Sequence, residues 1–372
     1  MLIKKINVEK IFNGKEFLFN QSVFIENEKI INIKSCSPEC TVEKGLLIPG
    51  YIDIQVNGGG GFLFNESPTL QTIKKIGEAH QLFGTTGWLP TLITDSIDKM
   101  LQASDAVAEA IRTNLPGVLG IHFEGPFLSK EKKGVHSESY IRKISADELA
   151  ILKRKDLGKV LVTLAPENVS TDKIKNLVDS GLIVSLGHSN ATFDQVNIAI
   201  EAGATGFTHL FNAMSAFTSR EPGMVGAAIL AKNCYSGIIL DGIHVNPESA
   251  RLAYHTNKKL MLVTDAMPPV GTNQTSFNLF GGKVIRDGLT LTDSIGRLAG
   301  SALDMHSAVS NAEKMLRIEK SEAVNLASKN PAEFLGLDHL YGTLAIGYKA
   351  SMLLLDNNGQ ILSSWIDGKQ IR

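Results

Sequence analysis

Apolar residues fall into two patterns along the chain. Through the middle they form short continuous runs, at 46–56, 87–93, 118–123, 160–164, 183–186, 205–208, 237–240 and 260–263. Between these runs lie stretches with apolar residues at helical spacing, at 70–83, 97–112, 146–153, 171–180, 193–202 and 247–256. Continuous apolar strands separated by helical patterns imply a parallel sheet covered on both faces. Eight such units predict an α/β chain with a closed (β/α)8 barrel, a TIM-like barrel, rather than an open sheet. After the eighth run, 278–284 and 288–292 read as a hairpin insertion, followed by helical segments at 303–316 and 321–327. A short helix starts at Asn330-Pro331, with proline at a tolerated early position.

Near the ends the pattern changes. Residues 17–19, 22–26 and 29–33 are β-rich and broken by Asn-Gly, Asn-Gln and Asn-Glu pairs. Residues 351–355 and 361–366 flank Asp356-Asn357-Asn358-Gly359, a turn signal. Both ends are therefore β and the middle is not. The simplest arrangement is a small β-sandwich domain built from both termini, residues 1–47 and 338–372, with the barrel at 48–337 between them.

Composition narrows the setting. A chain of 372 residues with 43% hydrophobic and 20% charged residues can bury a large core. The formal net charge of −1 lacks the basic excess of a nucleic-acid binder. Cys36, Cys40 and Cys234 are too few for a disulfide framework and suit a reducing compartment. No second Cys or His pair lies near Cys36 and Cys40 at ligand spacing, so they read as free thiols. The start, Met1-Leu2-Ile3-Lys4-Lys5, has no apolar signal core, and no uninterrupted apolar run approaches ~18 residues. A cytoplasmic protein without membrane contact is expected.

The candidate chemistry lies at the ends of the strands. Strand one ends in Asp53-Ile54-Gln55-Val56-Asn57, and strand three in His122-Phe123-Glu124. Strand five ends in Gly187-His188-Ser189, and strand six in Thr208-His209-Leu210. Strand seven ends in Asp241-Gly242-Ile243-His244, and strand eight in Thr264-Asp265-Ala266. In a (β/α)8 barrel all strand C-termini share one face, where active sites are built. Glu124, His188 and His209 are an N/O ligand set for one divalent ion, most naturally Zn2+, with a fourth position open as in catalytic sites. Asp265 is then a general base and later a general acid. Singly, each residue has a plainer reading: a strand-end histidine is more often a hydrogen-bonded structural group, and an Asp before a helix can be an N-cap. The Glu–His–His–Asp order on strands three, five, six and eight favours a site. Gly58-Gly59-Gly60-Gly61 lacks the Gly-Lys-Ser/Thr of a phosphate loop and reads as a structural loop.

These segments resemble the N-acetylglucosamine-6-phosphate deacetylase family of the amidohydrolase superfamily. The likeness is carried by Pro49-Gly50-Tyr51-Ile52-Asp53-Ile54-Gln55-Val56-Asn57-Gly58, His122-Phe123-Glu124-Gly125-Pro126-Phe127 and Lys133-Gly134-Val135-His136. It continues in Thr208-His209-Leu210-Phe211-Asn212-Ala213-Met214, Arg220-Glu221-Pro222-Gly223, Asp241-Gly242-Ile243-His244 and Leu298-Ala299-Gly300-Ser301. The resemblance implies hydrolysis of N-acetyl-D-glucosamine 6-phosphate to D-glucosamine 6-phosphate and acetate, in amino-sugar catabolism. It also implies a homodimer, with a neighbouring subunit completing the phosphate pocket. Glu124, His188 and His209 match the family's metal ligands and Asp265 its acid/base. Val135, His136, Asn212, Ala213, Arg220, Asp241, His244, Leu298, Ala299, Gly300 and Ser301 match its substrate-contact segments. Arg220 suits a phosphate by charge and fork geometry. His136 and His244 are alternatives for polarising the acetamide carbonyl or reaching the phosphate. His122, two residues before Glu124, reads as a packed support.

One departure from the wider superfamily stands out. Many members carry His-x-His at the end of strand one, feeding a second metal, where this chain has Gln55 and Asn57. Neutral amides are weak zinc ligands, so the pair reads as the remnant of a second metal position, and one ion per subunit is expected. The strand-four end, Ala165-Pro166-Glu167, also lacks a bridging lysine. Two other readings compete: an amidohydrolase acting on a related amide, and a non-catalytic barrel.

Overall fold

The computed structural model describes residues 3–37 and 39–372. Eight strands form one parallel sheet in sequence order: Tyr51–Val56, Thr85–Ile93, Gly120–Glu124, Lys159–Leu164, Ile183–Leu186, Gly206–Phe207, Tyr235–Ile238 and Leu260–Leu262. The sheet closes on itself just beyond strand eight. Val56 and Ala266 form a parallel bridge, and Asp265 N–H donates to the Gln55 carbonyl at 3.0 Å. Closure thus brings the ends of strands one and eight together, so their terminal residues share one wall of the mouth.

Helices cover the outside of the barrel, and local chemistry starts them. Thr192 caps Phe193–Glu201 in a reciprocal box with Gln195, and Thr69 caps Leu70–Gln81 through the Thr72 N–H. One helix, Gly223–Leu230, lies where the sequence predicts no amphipathic stretch. Seven of its eight residues are buried, so it carries no polar face and no 3.6-residue stripe.

Seven further strands join both termini in a single sheet, in the order Lys369–Gln370, Ile361–Ile366, Met352–Leu355, Glu43–Pro49, Lys4–Phe12, Phe17–Glu26, Lys29–Ser35. Its apolar side chains, Val8, Val23, Leu47, Met352, Leu354 and Trp365 among them, make a core separate from that of the barrel. The apolar run 46–56, expected as one strand, is divided between the two sheets at Gly50. Glu43–Pro49 pairs with Met352–Leu355, whereas Tyr51–Val56 pairs with Thr85–Ile93. The sequence pattern does not announce the strand Lys4–Phe12, and the expected break at Asn20-Gln21 is a positive-φ residue inside one strand. The hairpin insertion is three-stranded, Ser276–Leu279, Gly282–Asp287 and Thr290–Thr292. Among the described residues no helix is long and apolar enough to cross a membrane.

Candidate active site

Glu124, His188 and His209 meet at the mouth of the barrel. Their ligand atoms all lie within 4.8 Å of one another, and all three residues are buried. Glu124 Oε1 is 3.1 Å from His188 Nε2 and 2.9 Å from His209 Nε2, and the two Nε2 atoms are 2.9 Å apart. His188 Nδ1 lies 2.8 Å from the Lys132 carbonyl. A carbonyl only accepts, so Nδ1 carries a proton, and Nε2 is the ring atom that faces the carboxylate and His209. One carboxylate oxygen and two imidazole nitrogens, buried and turned to one point, are the donor set that a divalent ion takes. Burial alone would raise the Glu124 carboxyl, but His188 and His209 hold it well below its usual range, in the ionised form a ligand needs.

The backbone at these positions is unusual. His188, His209 and Asp265 have φ of 46°, 35° and 52°, a left-handed region seldom adopted by residues other than glycine. Such conformations persist only where surrounding structure imposes them, and they cluster at functional sites.

Asp265 stands on the wall made by barrel closure. Its Oδ1 accepts from Asn57 Nδ2 at 2.6 Å and from Gln55 Nε2 at 3.2 Å. Burial, followed by the charge of Glu124, raises its carboxyl to about 6, against the opposing pull of His209 and His244. Directly behind it the fully buried Asp53 accepts from the backbone N–H of Gln55 at 3.1 Å and of Thr264 at 3.3 Å.

Under the ligands runs a one-way chain of hydrogen bonds. His122 Nδ1 donates to the Ile54 carbonyl at 3.0 Å, so Nε2 must accept from Thr163 Oγ1 at 2.8 Å. Thr163, its proton spent, accepts from Thr208 at 2.7 Å, and Thr208 in turn accepts from Ser185 at 2.7 Å. Burial pushes His122 down to about 4, which keeps it neutral. The chain crosses strands one, three, four, five and six. His122 therefore has the packed supporting place that its position in the sequence suggests.

The mouth opens into a cleft of about 520 Å3, a size suited to a small molecule. Of the residues expected to contact substrate, Val135, His136, Asn212, Ala213, His244, Leu298 and Gly300 line it together with the ligand triad and Asp265. His136 is buried beside His188, with ring centroids 4.3 Å apart, and its Nδ1 is 2.8 Å from Thr94 Oγ1. Burial, then the neighbouring His188, keeps His136 well below its usual range, hence neutral. Asp241 is not on the wall. It sits behind His244, with Oδ2 at 2.6 Å from Nδ1, and its Oδ1 also accepts from the Ile243 and His244 N–H groups. Ala299 and Ser301 likewise lie behind the wall, where Ser301 Oγ donates to the Thr264 carbonyl. Arg220 is exposed and lies outside the wall. Arg297, Lys132 and Lys133 are the cleft's cations besides Lys130. Arg297 immediately precedes the Leu298-Ala299-Gly300-Ser301 segment, so a motif that begins at Leu298 stops one residue short of it.

The model of the amidohydrolase family matches residues 46–371. An N-acetylgalactosamine-6-phosphate deacetylase from Shewanella sp. (strain ANA-3) is 53% identical over 334 residues, 89% of this chain and 84% of its own. The crystal structure of N-acetylglucosamine-6-phosphate deacetylase from Pasteurella multocida matches with a TM-score of 0.94 and 36% identity, over 99% of both chains. A mutant of the Mycobacterium smegmatis N-acetyl-D-glucosamine-6-phosphate deacetylase, in complex with N-acetyl-D-glucosamine-6-phosphate, matches with a TM-score of 0.92 and 27% identity, over 100% of this chain and 99% of its own. The chain therefore belongs to the amidohydrolase family of metal-dependent hydrolases, among its deacetylases of N-acetylated amino-sugar 6-phosphates.

Proposed function

We propose that the chain hydrolyses the acetamide of N-acetyl-D-glucosamine 6-phosphate, releasing acetate and D-glucosamine 6-phosphate, with one Zn2+ held by Glu124, His188 and His209. The observation that carries this reading is the convergence of that buried triad and Asp265 on one cleft. A divalent ion there supplies Lewis acidity, lowering the pKa of water and drawing charge from the acetyl carbonyl. Asp265 takes the proton of the attacking water and returns it to the sugar nitrogen as the C–N bond breaks. His136, buried beside the triad, packs against the acetamide side of the cleft. Asp241 orients His244 at the cleft wall, and Val135, Asn212, Ala213, Leu298 and Gly300 shape the sugar site, with Ala299 and Ser301 supporting that last loop from behind. Arg297, on the wall, and Arg220 of the partner subunit in a homodimer hold the phosphate. Residues 48–337 carry all of this chemistry, and residues 1–47 and 338–372 form the supporting domain. Three free cysteines agree with a cytoplasmic enzyme.

The 53% identical relative gives a specific second reading, the C4 epimer N-acetyl-D-galactosamine 6-phosphate. Acetate release from the two sugar phosphates and from their unphosphorylated forms separates the cases. Turnover of one phosphorylated epimer, with a much lower kcat/KM on the free sugars, is the expected result. Equal turnover of free and phosphorylated sugars would reject the phosphate site, and no acetate from any of them would reject the reaction.

A further inference from the structure

By sequence, Gln55 and Asn57 read as what is left of a second metal position. The geometry points to a different task. Both side-chain amides converge on one oxygen, Asp265 Oδ1, at 3.2 and 2.6 Å. A carboxylate only accepts, so each amide must present its NH2 there, which fixes the orientation of both side chains. For Asn57 that orientation leaves Oδ1 buried without a partner among the described residues. A buried unsatisfied acceptor is costly, and its retention needs a reason. Strand one also grips the backbone of the same segment. The Asp265 N–H donates to the Gln55 carbonyl, and the Asn57 N–H donates to the Ala266 carbonyl, both at 3.0 Å. Asp53, buried behind them, ties the Gln55 and Thr264 N–H groups to one carboxylate. Among the described residues no hydrogen bond reaches Asp265 Oδ2.

We propose that Gln55 and Asn57 are positioning residues that occupy Asp265 Oδ1 and so make Oδ2 the oxygen that moves the proton. The inference rests on the proposed role of Asp265 above. In that reaction Oδ2 takes one proton from water as the new C–O bond forms. It returns the same proton to nitrogen as the C–N bond breaks, so the carboxylate ends as it began. Two N–H donors favour the charged form of a carboxylate and fix its rotamer, as a neighbouring cation would. The amides thus do for Asp265 what a second ion would otherwise do.

The test uses the zinc-loaded full chain. Asn57→Leu and Gln55→Met keep side-chain size and remove the donor. Each is expected to lower kcat about 10- to 100-fold by misplacing the reacting oxygen. KM is expected to change little, metal content to stay at one ion per chain, and the acid limb of the pH–rate profile to move to higher pH. Unchanged kcat, or a loss confined to KM or to metal content, would overturn the proposal. A neutron structure of the wild-type protein at a pD on the acid limb of its measured pH–rate profile provides a second reading that needs no variant. A deuteron on Oδ2 supports the clamp, and a deuteron on Oδ1 overturns it. Because this second reading is independent of turnover, it stands apart from any failure to release acetate, which would count against the proposed reaction instead.

Discussion

In the proposed reaction Asp265 is the base, and its affinity for protons suits that task. Burial and the nearby Glu124 charge raise it to about 6, while His209, His244 and the Asn57 donor restrain the rise. A base must be deprotonated to act, so activity is present above this pKa and is lost as the pH falls through it. A bound cation adds to the restraint, which puts the acid limb of kcat/KM at or below pH 6. A profile of kcat/KM against pH on the phosphorylated sugar checks the sign, and activity that rises on acidification would contradict it. Asp265→Asn preserves shape and both neighbours but has no basic oxygen. Turnover should drop by roughly 10²- to 10⁴-fold with the metal content intact. Replacing a ligand acts differently. With His188→Ala the remaining Glu124 and His209 make a poor site, so both metal content and activity should fall. A chelator applied to the wild type should give the same loss, reversed by added Zn2+, whereas the variant should recover little.

At the scale of elements, the strands that lead to Glu124, His188 and His209 are tied together by the hydroxyl chain beneath them. Its direction is set at one end, because the Ile54 carbonyl forces the His122 tautomer. Thr163→Val keeps the shape of the central link but leaves His122 Nε2 without a donor and the Thr208 hydroxyl without its acceptor. Two unpaired groups in a dry interior should cost about 1–3 kcal/mol in urea unfolding. Stability equal to wild type would mean that the chain contributes nothing. The same scale shows what the sequence makes legible. The barrel strands are readable because buried parallel strands are apolar throughout, and their ends are readable because polar residues there break the run. Three features are hidden for physical reasons. The helix Gly223–Leu230 has no polar face, so periodicity cannot report it. Gly50 divides one apolar run between two sheets, a change of partner that composition does not register. The grip of Gln55 and Asn57 on Asp265 joins residues more than 200 positions apart and exists only because the barrel closes there. Arg297 is a nearer miss, since it adjoins a segment that the sequence singles out, whereas Arg220, singled out for phosphate, lies off the wall of its own cleft.

That last displacement is informative for the whole molecule. Arg220 is exposed in the loop before Gly223–Leu230, close in sequence to Phe217, whose side chain is 64% exposed. An exposed aromatic and an exposed guanidinium on one short loop suit a face that meets a second copy. In a two-fold dimer each chain would lend its Arg220 to the other's cleft. Two inactive variants can decide this. Arg220→Ala retains Asp265 but gives its partner no guanidinium, and Asp265→Asn retains Arg220 but has no base. Each homodimer should be nearly inactive at low substrate. In a mixed dimer the cleft of the Arg220→Ala chain receives a guanidinium from its neighbour and keeps its own Asp265, so it works, while the other cleft stays dead. If the chains exchange at random from an equal mixture, half the dimers are mixed and half the clefts in each are competent, so activity should recover to about a quarter of wild type. Arg220 acting within its own chain predicts no recovery, because neither mutant cleft would then be complete.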